Sequence, residues 1–221
     1  MAGRTIIFIL AIFCSAVSIA QKHPVLYAGA EYYRDKGFES NSYVALQFGS
    51  QLFQWKFLAP EVGFDAYLGS PAEVEFNYIG EPNSIPEAKL KTQFSSYFFS
   101  ISPKLKFGNE EAALVILPQY NIRKIHARGD YLVYNGNLYA LEERQKLSAN
   151  QSFWSFAAGV EGQIFDVDHL WFAVYLKYTM LNSEGIMERI DFAGTDFNVN
   201  GGSSDGIGIG LRVYYDLFSA L

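Results

Sequence analysis

Cysteine is nearly missing from this chain: the one residue, Cys14, lies within the first twenty positions. Disulfides, thiolate catalysis and cysteine metal sites are therefore excluded from everything that follows that stretch. Long apolar runs are scarce as well. Beyond the N-terminal stretch none approaches the ~20 residues that a membrane-spanning helix needs, which excludes a helical membrane protein. Basic residues are in deficit, 17 against 23 acids, for a formal net charge of −6. Nucleic-acid binding demands clustered lysine and arginine, and no interleaved basic and aromatic patch is present, so that class is excluded too. Histidine is limited to His23, His126 and His169, so any histidine-based active site must draw on these.

What the chain does have is aromatic residues, 17% of the total, within a composition that is 50% hydrophobic. The opening MAGRTIIFILAIFCSAVSIA places Arg4 before an apolar run from Ile6 to Phe13 and ends on Ser18 and Ala20, small residues at the −3 and −1 positions before Gln21. This pattern predicts a secretory signal peptide over residues 1–20, removed in the mature protein. Cys14 follows bulky Phe13, where a lipid-attachment site wants a small residue, so no lipid anchor is expected. Cleavage leaves roughly 200 residues, 21–221, enough for one domain or one small barrel. Losing Arg4 makes the chain one unit more acidic.

The rest of the chain alternates. From Gly206 to Phe218, GIGIGLRVYYDLF, the residues Ile207, Ile209, Leu211, Val213, Tyr215 and Leu217 share one face, with Gly206, Gly208, Gly210, Arg212, Tyr214 and Asp216 on the other. The period is two, that of a strand. The same division runs through 96–107, 114–123, 154–164 and 170–180. In 96–107, for example, Tyr97, Phe99, Ile101 and Phe107 oppose Ser96, Ser100, Ser102, Lys104 and Lys106. Three weaker strands open the series at 25–34, 42–49 and 53–69. In the last of these the apolar phase slips between Phe57 and Val62, and a bulge near Ala59 and Pro60 would absorb the extra residue.

Eight strands result, too long for a soluble sandwich and suited to a bilayer, where a tilted strand needs about 9 to 11 residues. Short turns are expected near 50–52, 108–111 and 166–168. Long polar loops are expected over 70–92, 127–150 and 183–203, with the short loop 35–41 on the same side as these. Even strand number, short turns on one side and long loops on the other are the pattern of an outer-membrane β-barrel. Aromatics fall where interfacial girdles belong: Phe48, Trp55, Phe107, Trp171, Phe172 and Tyr215 toward the turn side, and Tyr32, Tyr67, Tyr97, Trp154 and Tyr178 toward the loop side. A soluble lipocalin-like barrel also alternates. Strand length, aromatic ends and the small, charged composition of the second face favour lipid outside. The fold class expected is therefore all-β: an eight-stranded antiparallel transmembrane β-barrel of up-and-down topology, monomeric, in the cell outer membrane.

The pattern from about 24 to 218, the SIAQ at the cleavage site and the terminal GIGIGLRVYYDLF resemble small eight-stranded outer-membrane β-barrels, similar to the membrane domain of outer membrane protein A and its relatives X and W. The Ala20–Gln21 junction and the tyrosine-rich style resemble barrels of Bacteroidetes-type Gram-negative bacteria. The resemblance implies that the barrel assembly machinery recognises the aromatic-ended last strand. Here Ser219, Ala220 and Leu221 follow Phe218, a departure from a final aromatic.

Placed inside by this alternation are the acids Glu31, Glu61, Asp65, Glu161 and Asp216 and the bases Lys104, Lys106, Arg123, Lys177 and Arg212, five opposing five. An eight-stranded barrel is just wide enough for side chains to fill it. Ten charges there must be paired or wet, because an unpaired buried charge costs several kcal/mol. A balanced set points to a rigidifying plug of salt bridges, and an excess of one sign would have pointed to a selective pore.

Some barrels that this chain resembles are lipid hydrolases or acyltransferases that pair histidine with serine. His126, in KIHARGD, lacks a serine two residues on; His169, in DVDHL, has only Asp166 and Asp168 nearby; His23 sits at the mature N-terminus. Asp191, Asp196 and Asp205, with Gly201 and Gly202 between, lack the ordered spacing of a calcium loop. No catalysis, cofactor or metal is expected. The expected role is structural or interactive through the outer loops, whose Phe76, Tyr78, Tyr131, Tyr134 and Tyr139 are candidates for contact with an extracellular protein, a polysaccharide or outer-membrane lipid, and read equally well as barrel strands continuing above the membrane. The alternative is a small porin-like channel or carrier for ions or apolar molecules.

Overall fold

A computed structural model of the chain describes residues 23–35, 42–69, 74–76, 85–109, 111–163, 167, 169–192 and 205–217. The signal segment, Tyr78, Asp166, Asp168, Asp196, Gly201, Gly202 and the end from Phe218 lie outside the described residues, as do most of the loops 35–41 and 70–92. Within them the strands are β1 (Val25–Arg34), β2 (Ser42–Gln51), β3 (Glu61–Gly69), β4 (Val74–Phe76), β5 (Ala88–Ser102), β6 (Leu105–Gly108), β7 (Ala112–Tyr134), β8 (Tyr139–Gln163), β9 (Leu170–Thr179) and β10 (Gly206–Tyr215), with one short helix, α1 (Glu184–Met187). Every pairing is antiparallel. β1, β2, β3, β5, β7, β8, β9 and β10 pair in that order, and β10 returns to β1 through the register Ala30↔Leu211, so the eight form a closed ring. Closure removes the sheet edges that a flat sheet would expose.

The two faces have opposite characters. Outward residues such as Leu46, Phe48, Phe64, Phe99, Ile101, Ile122, Phe156, Leu176 and Ile209 are exposed, and inward ones such as Glu31, Gln47, Asp65, Ser100, Lys177 and Arg212 are buried. Room for the interior comes partly from the glycines of the last strand: a Cβ on Gly210 would run into the Tyr175 ring, and one on Gly208 would stand 2.6 Å from Tyr33.

Three expectations need correction. The third strand does not start at 53. Residues 52–60 form a small hairpin of their own, with Leu58 N–H donating to Trp55 O at 2.9 Å and Leu52 N–H to Pro60 O at 2.8 Å. Lys56 takes a positive φ of 52° at its tip, and Ala59 N–H donates to Lys104 O. The phase slip is this hairpin and not a bulge: Pro60 has no N–H for a ladder, but its carbonyl can accept the bond that closes the turn. Second, the strand expected over 96–107 begins at Ala88 and breaks at Pro103 and Lys104. Pro118 of β7 lies opposite that break, between the pairs Ile101↔Tyr120 and Leu105↔Ile116, so two prolines share one interruption of the ladder.

Third, 127–150 is not a loop. β7 and β8 run 23 and 25 residues and stay paired up to Tyr134↔Tyr139, with a register shift between Tyr131 and Leu132. At about 3.3 Å per residue such strands are more than twice as long as a bilayer crossing requires. Above the rows where β3 leaves β5 (Gly69↔Phe94) and β9 leaves β8 (Ser155↔Thr179), the strands β5, β7 and β8 continue together as a three-stranded platform. β4 adds a fourth, short strand to its β5 edge.

Candidate functional site

The lumen is filled in two layers. Toward the turn side, Lys104 Nζ lies 2.9 Å from Glu61 and 2.5 Å from Glu161, and Lys106 also reaches Glu161, at 2.7 Å. Arg212 Nη1 pairs with Glu61 at 2.8 Å, while its Nε donates to Gln47 Oε1 at 2.8 Å. Gln47 in turn donates to Glu31 at 2.7 Å, and Glu31 pairs with Lys177 at 3.0 Å. Seven of the ten interior charges thus join one chain of contacts: Lys106, Glu161, Lys104, Glu61, Arg212, Glu31 and Lys177. The alternation brought these side chains inward, and ring closure brought strands far apart in sequence within reach of one another.

The other three stand elsewhere. Asp65 is fully buried and joins no ion pair among the described residues. Asp216 is buried at the turn-side end, where its backbone N–H donates to His169 O at 3.0 Å. Arg123 serves the outer mouth: its Nη2 donates to Gln151 and to Asn182 O, the latter at 2.8 Å, and its guanidinium lies 4.9 Å over the Phe153 ring.

Reading charges alone missed the tyrosines and glutamines that complete the network. Tyr214 donates to Glu61 at 2.9 Å, Tyr175 to Glu31 at 2.8 Å, and Tyr33 to Glu31 at 2.5 Å; Gln51 accepts from Lys104 at 3.2 Å. Arg212 sits between the rings of Tyr27 and Tyr175, at 4.6 and 5.1 Å. The signal was available, since Tyr33 shares parity with Glu31, Tyr175 with Lys177 and Tyr214 with Arg212. Parity also corrects two girdle assignments. Tyr67 is buried in the lumen, edge to face with Phe98, and Trp171 packs against the turn-side interior cluster.

The outer half of the lumen is apolar. Tyr33, Tyr43, Tyr67, Phe98 and Phe153 form one cluster with Leu181, Ile186, Met187, Ile190 and Phe192. Those last five belong to a segment that leaves β9, turns through α1 and covers both the mouth and the inner face of the platform, where Phe94, Ile125, Ala127, Tyr131, Leu147 and Ala149 meet it. Asn182 Oδ1 accepts the Gly185 N–H at 3.4 Å, and Gln145 brackets Asp191 by accepting its N–H at 3.1 Å and donating to its carbonyl.

The platform's other face is polar. Asp130 accepts from Arg128 Nη2 at 2.5 Å and from Arg144 Nε at 2.7 Å. Partial burial pulls the Asp130 carboxyl up, but the two guanidiniums outweigh it and hold it below the usual carboxylate range. Its folded value is therefore lower than its unfolded one of ~3.9, so its stabilisation is complete above that pH and is lost as pH falls through the folded value. The pairs are largely exposed, so the effect is small. Asp130→Asn is expected to cost less than about 1 kcal/mol, seen as faster amide exchange over 128–146 with the ring unchanged.

At the tip, Tyr134 and Tyr139 pack ring to ring at 5.3 Å, Tyr139 OH donates to Pro86 O at 2.7 Å, and Leu138 and Ile85 are exposed. Tyr131 turns inward against Phe192 at 5.7 Å, and the side chain of Phe76 lies outside the described residues. His126 stands between Ser95 and Ser148 in register, yet no hydrogen bond joins them, and its ring packs on Tyr97 at 6.4 Å. Asp205 accepts from Tyr178 OH at 2.8 Å.

Neisserial surface protein A matches this structure with a TM-score of 0.50 at 10% identity, over 88% of this chain and 96% of that one. The fold is that of a small outer-membrane β-barrel. A major outer membrane protein of Thermus thermophilus follows at 0.49 and 13% identity, over 88% and 99% of the two chains, and Ail, the attachment invasion locus protein of Yersinia pestis, at 0.42 and 10%, over 87% and 95%. No protein-family model and no curated protein sequence matches the chain.

Proposed function

We infer that the protein is an outer-membrane barrel without catalysis, sealed against passage, whose work is surface contact made by the platform that β5, β7 and β8 raise above the ring. The membrane setting rests on the outward face. Phe99, Val160, Leu176 and Ile207 are each at least 59% exposed in the isolated chain and belong to a continuous apolar band. A soluble protein does not leave such a band open to water. The single observation that carries the platform reading is its inner packing: an apolar face covered by Leu181–Phe192 makes these strands a rigid extension instead of a loose loop. Exposed Ile85, Leu138 and Leu141 near its tip supply apolar contact area for an extracellular partner.

A seal fits the lumen better than a channel does. Groups lining a watery pore keep their charge in contact with solvent, whereas the side chains of Lys104, Lys177, Glu31, Glu61 and Arg212 are at most 1% exposed. The refolded mature protein is expected to be silent in a planar bilayer while shifting in electrophoretic mobility on boiling. Stable, ion-selective unitary currents from the folded form would sink the sealed-barrel reading. The non-catalytic reading carries its own check: overexpression leaves the mass of outer-leaflet lipids unchanged, whereas a mass change abolished by His126→Ala would replace it with an enzyme.

A further inference from the structure

The outer face of the platform carries a concentration of positive charge that the acidic chain as a whole does not foreshadow. β5, β7 and β8 lie in register, and their outward side chains form four rows. The lowest is Tyr97, Lys124 and Asn150; above it come Ser95, His126 and Ser148, then Gln93, Arg128 and Lys146, then Lys91, Asp130 and Arg144. Among these positions stand five bases, Lys91, Lys124, Arg128, Arg144 and Lys146, and one acid, Asp130, in a protein with 17 bases and 23 acids. Asp130 offsets only one of the two guanidiniums that it holds. Lys124 and Lys146 are exposed.

Two further features make this a site and not merely a charged surface. A groove of about 620 Å³ crosses the same face, lined by Leu68, Gln93, Ser95, His126, Arg128 and Lys146 among others. This volume is in the range of small-ligand sites. The groove also points the same way as the lipid-facing residues of the ring beneath it: Tyr97, Ile122 and Trp154 are exposed directly below, on the same strands and faces. Successive rows are about 6.6 Å apart along the strands, or about 5 Å in height for strands tilted near 45°. The cationic rows therefore start at the outer aromatic girdle and rise about 14 Å above it, beyond the ~5–7 Å that a phospholipid headgroup occupies. That height suits a headgroup built of sugars.

We propose that this groove and its basic rows bind the phosphate groups of an outer-leaflet glycolipid, holding it as an annular lipid against β5, β7 and β8. Arg128 and Lys146 meet phosphate within the groove, Lys124 meets it at the level of the girdle, Gln93 and Ser95 hydrogen-bond sugar hydroxyls, and the acyl chains lie along Tyr97, Phe99 and Trp154. Arginine forks and lysine point charges are the usual partners of phosphate. The proposal rests on the outer-membrane reading, and the experiment separates the two.

The full mature protein is refolded into phosphatidylcholine nanodiscs doped with bisphosphorylated lipid A, and lipid retained on the extracted barrel is counted by native mass spectrometry. Heat-modifiable mobility is recorded alongside, so a barrel that does not insert counts against the membrane reading, and one that inserts but retains nothing counts against the site alone. The wild type is expected to retain lipid A in preference to its dephosphorylated form. Lys124→Gln with Lys146→Gln leaves the Asp130 pairs untouched and is expected to cut retention at least tenfold, at about fivefold per cation near an anionic surface. Adding Arg128→Gln cuts it further. Equal retention by wild type and variants, or retention indifferent to the phosphates, overturns the proposal. So does a soluble sulfated oligosaccharide that displaces nothing yet binds the wild type as tightly, because the surface then faces the medium.

Discussion

Arg212→Ala is expected to be the most damaging single substitution in this barrel, costing about 3–5 kcal/mol because it breaks a buried ion pair and takes from the Glu61 carboxylate one of its two cations. Arg212 pairs with Glu61, donates to Gln47 and lies between two tyrosine rings. Its removal leaves Lys104 as the one cation paired with Glu61 while Lys104 still shares Glu161 with Lys106, and it also opens a cavity beside Gly29, whose Cβ position lies 2.8 Å from Arg212 Cγ. The readout is the urea midpoint of the refolded protein, followed by the mobility shift on boiling. Arg212→Ala with Glu61→Gln should recover part of the loss, since the buried carboxylate that lost one of its two cations is then neutral. A single variant with the wild-type midpoint would mean that the interior charges do not act as a network.

Gly129→Val comes second. Gly129 is on the inner face of the platform, and even a Cβ there would stand 2.7 Å from Ile190 Cγ2 and 2.9 Å from Phe192 Cζ. The branched side chain is expected to lift the covering segment. Overpacking typically costs about 1–3 kcal/mol, which corresponds to about a 5- to 150-fold rise in the opened population. Limited proteolysis within 183–192 reads that population directly when reclosing is fast. Gly185→Ala is the control: the nearest atom to a Cβ there is Asn182 Oδ1 at 3.7 Å, ordinary contact, and alanine favours the helix. Unchanged cleavage in Gly129→Val would mean that the covering segment does not rest on the platform.

How far the sequence could be read turns on where its apolar phase reverses. In β7 the large apolar residues of the lower part that face out are Leu114, Ile116 and Ile122, on even positions, but above Arg123 the apolar residues are Ile125, Ala127 and Tyr131, on odd ones that face in. β8 reverses likewise between Leu147 or Ala149 and Trp154 or Phe156, and β5 between Leu90 or Phe94 and Tyr97 or Phe99. Below the reversal lipid lies outside, so the apolar face points out. Above it the surroundings are polar, and the covered apolar face points in. A window that follows a single phase sees each strand end at the reversal, and this is why 127–150 reads as a loop.

Strand number, antiparallel order and the inward parity of the ten charges were legible from the sequence alone, because a period of two with strands of bilayer length admits few arrangements. The tertiary structure decided which charges meet. Seven join one chain of contacts, whereas Arg123 anchors the segment over the mouth and Asp65 and Asp216 lie outside that chain. It also decided that residues 181–192 pack against the outer lumen cluster and the platform and that Lys91, Lys124, Arg128, Arg144 and Lys146 share one face. Parity along a strand tells inside from outside. Only the register between strands, fixed by ring closure, tells which side chains stand at the same height.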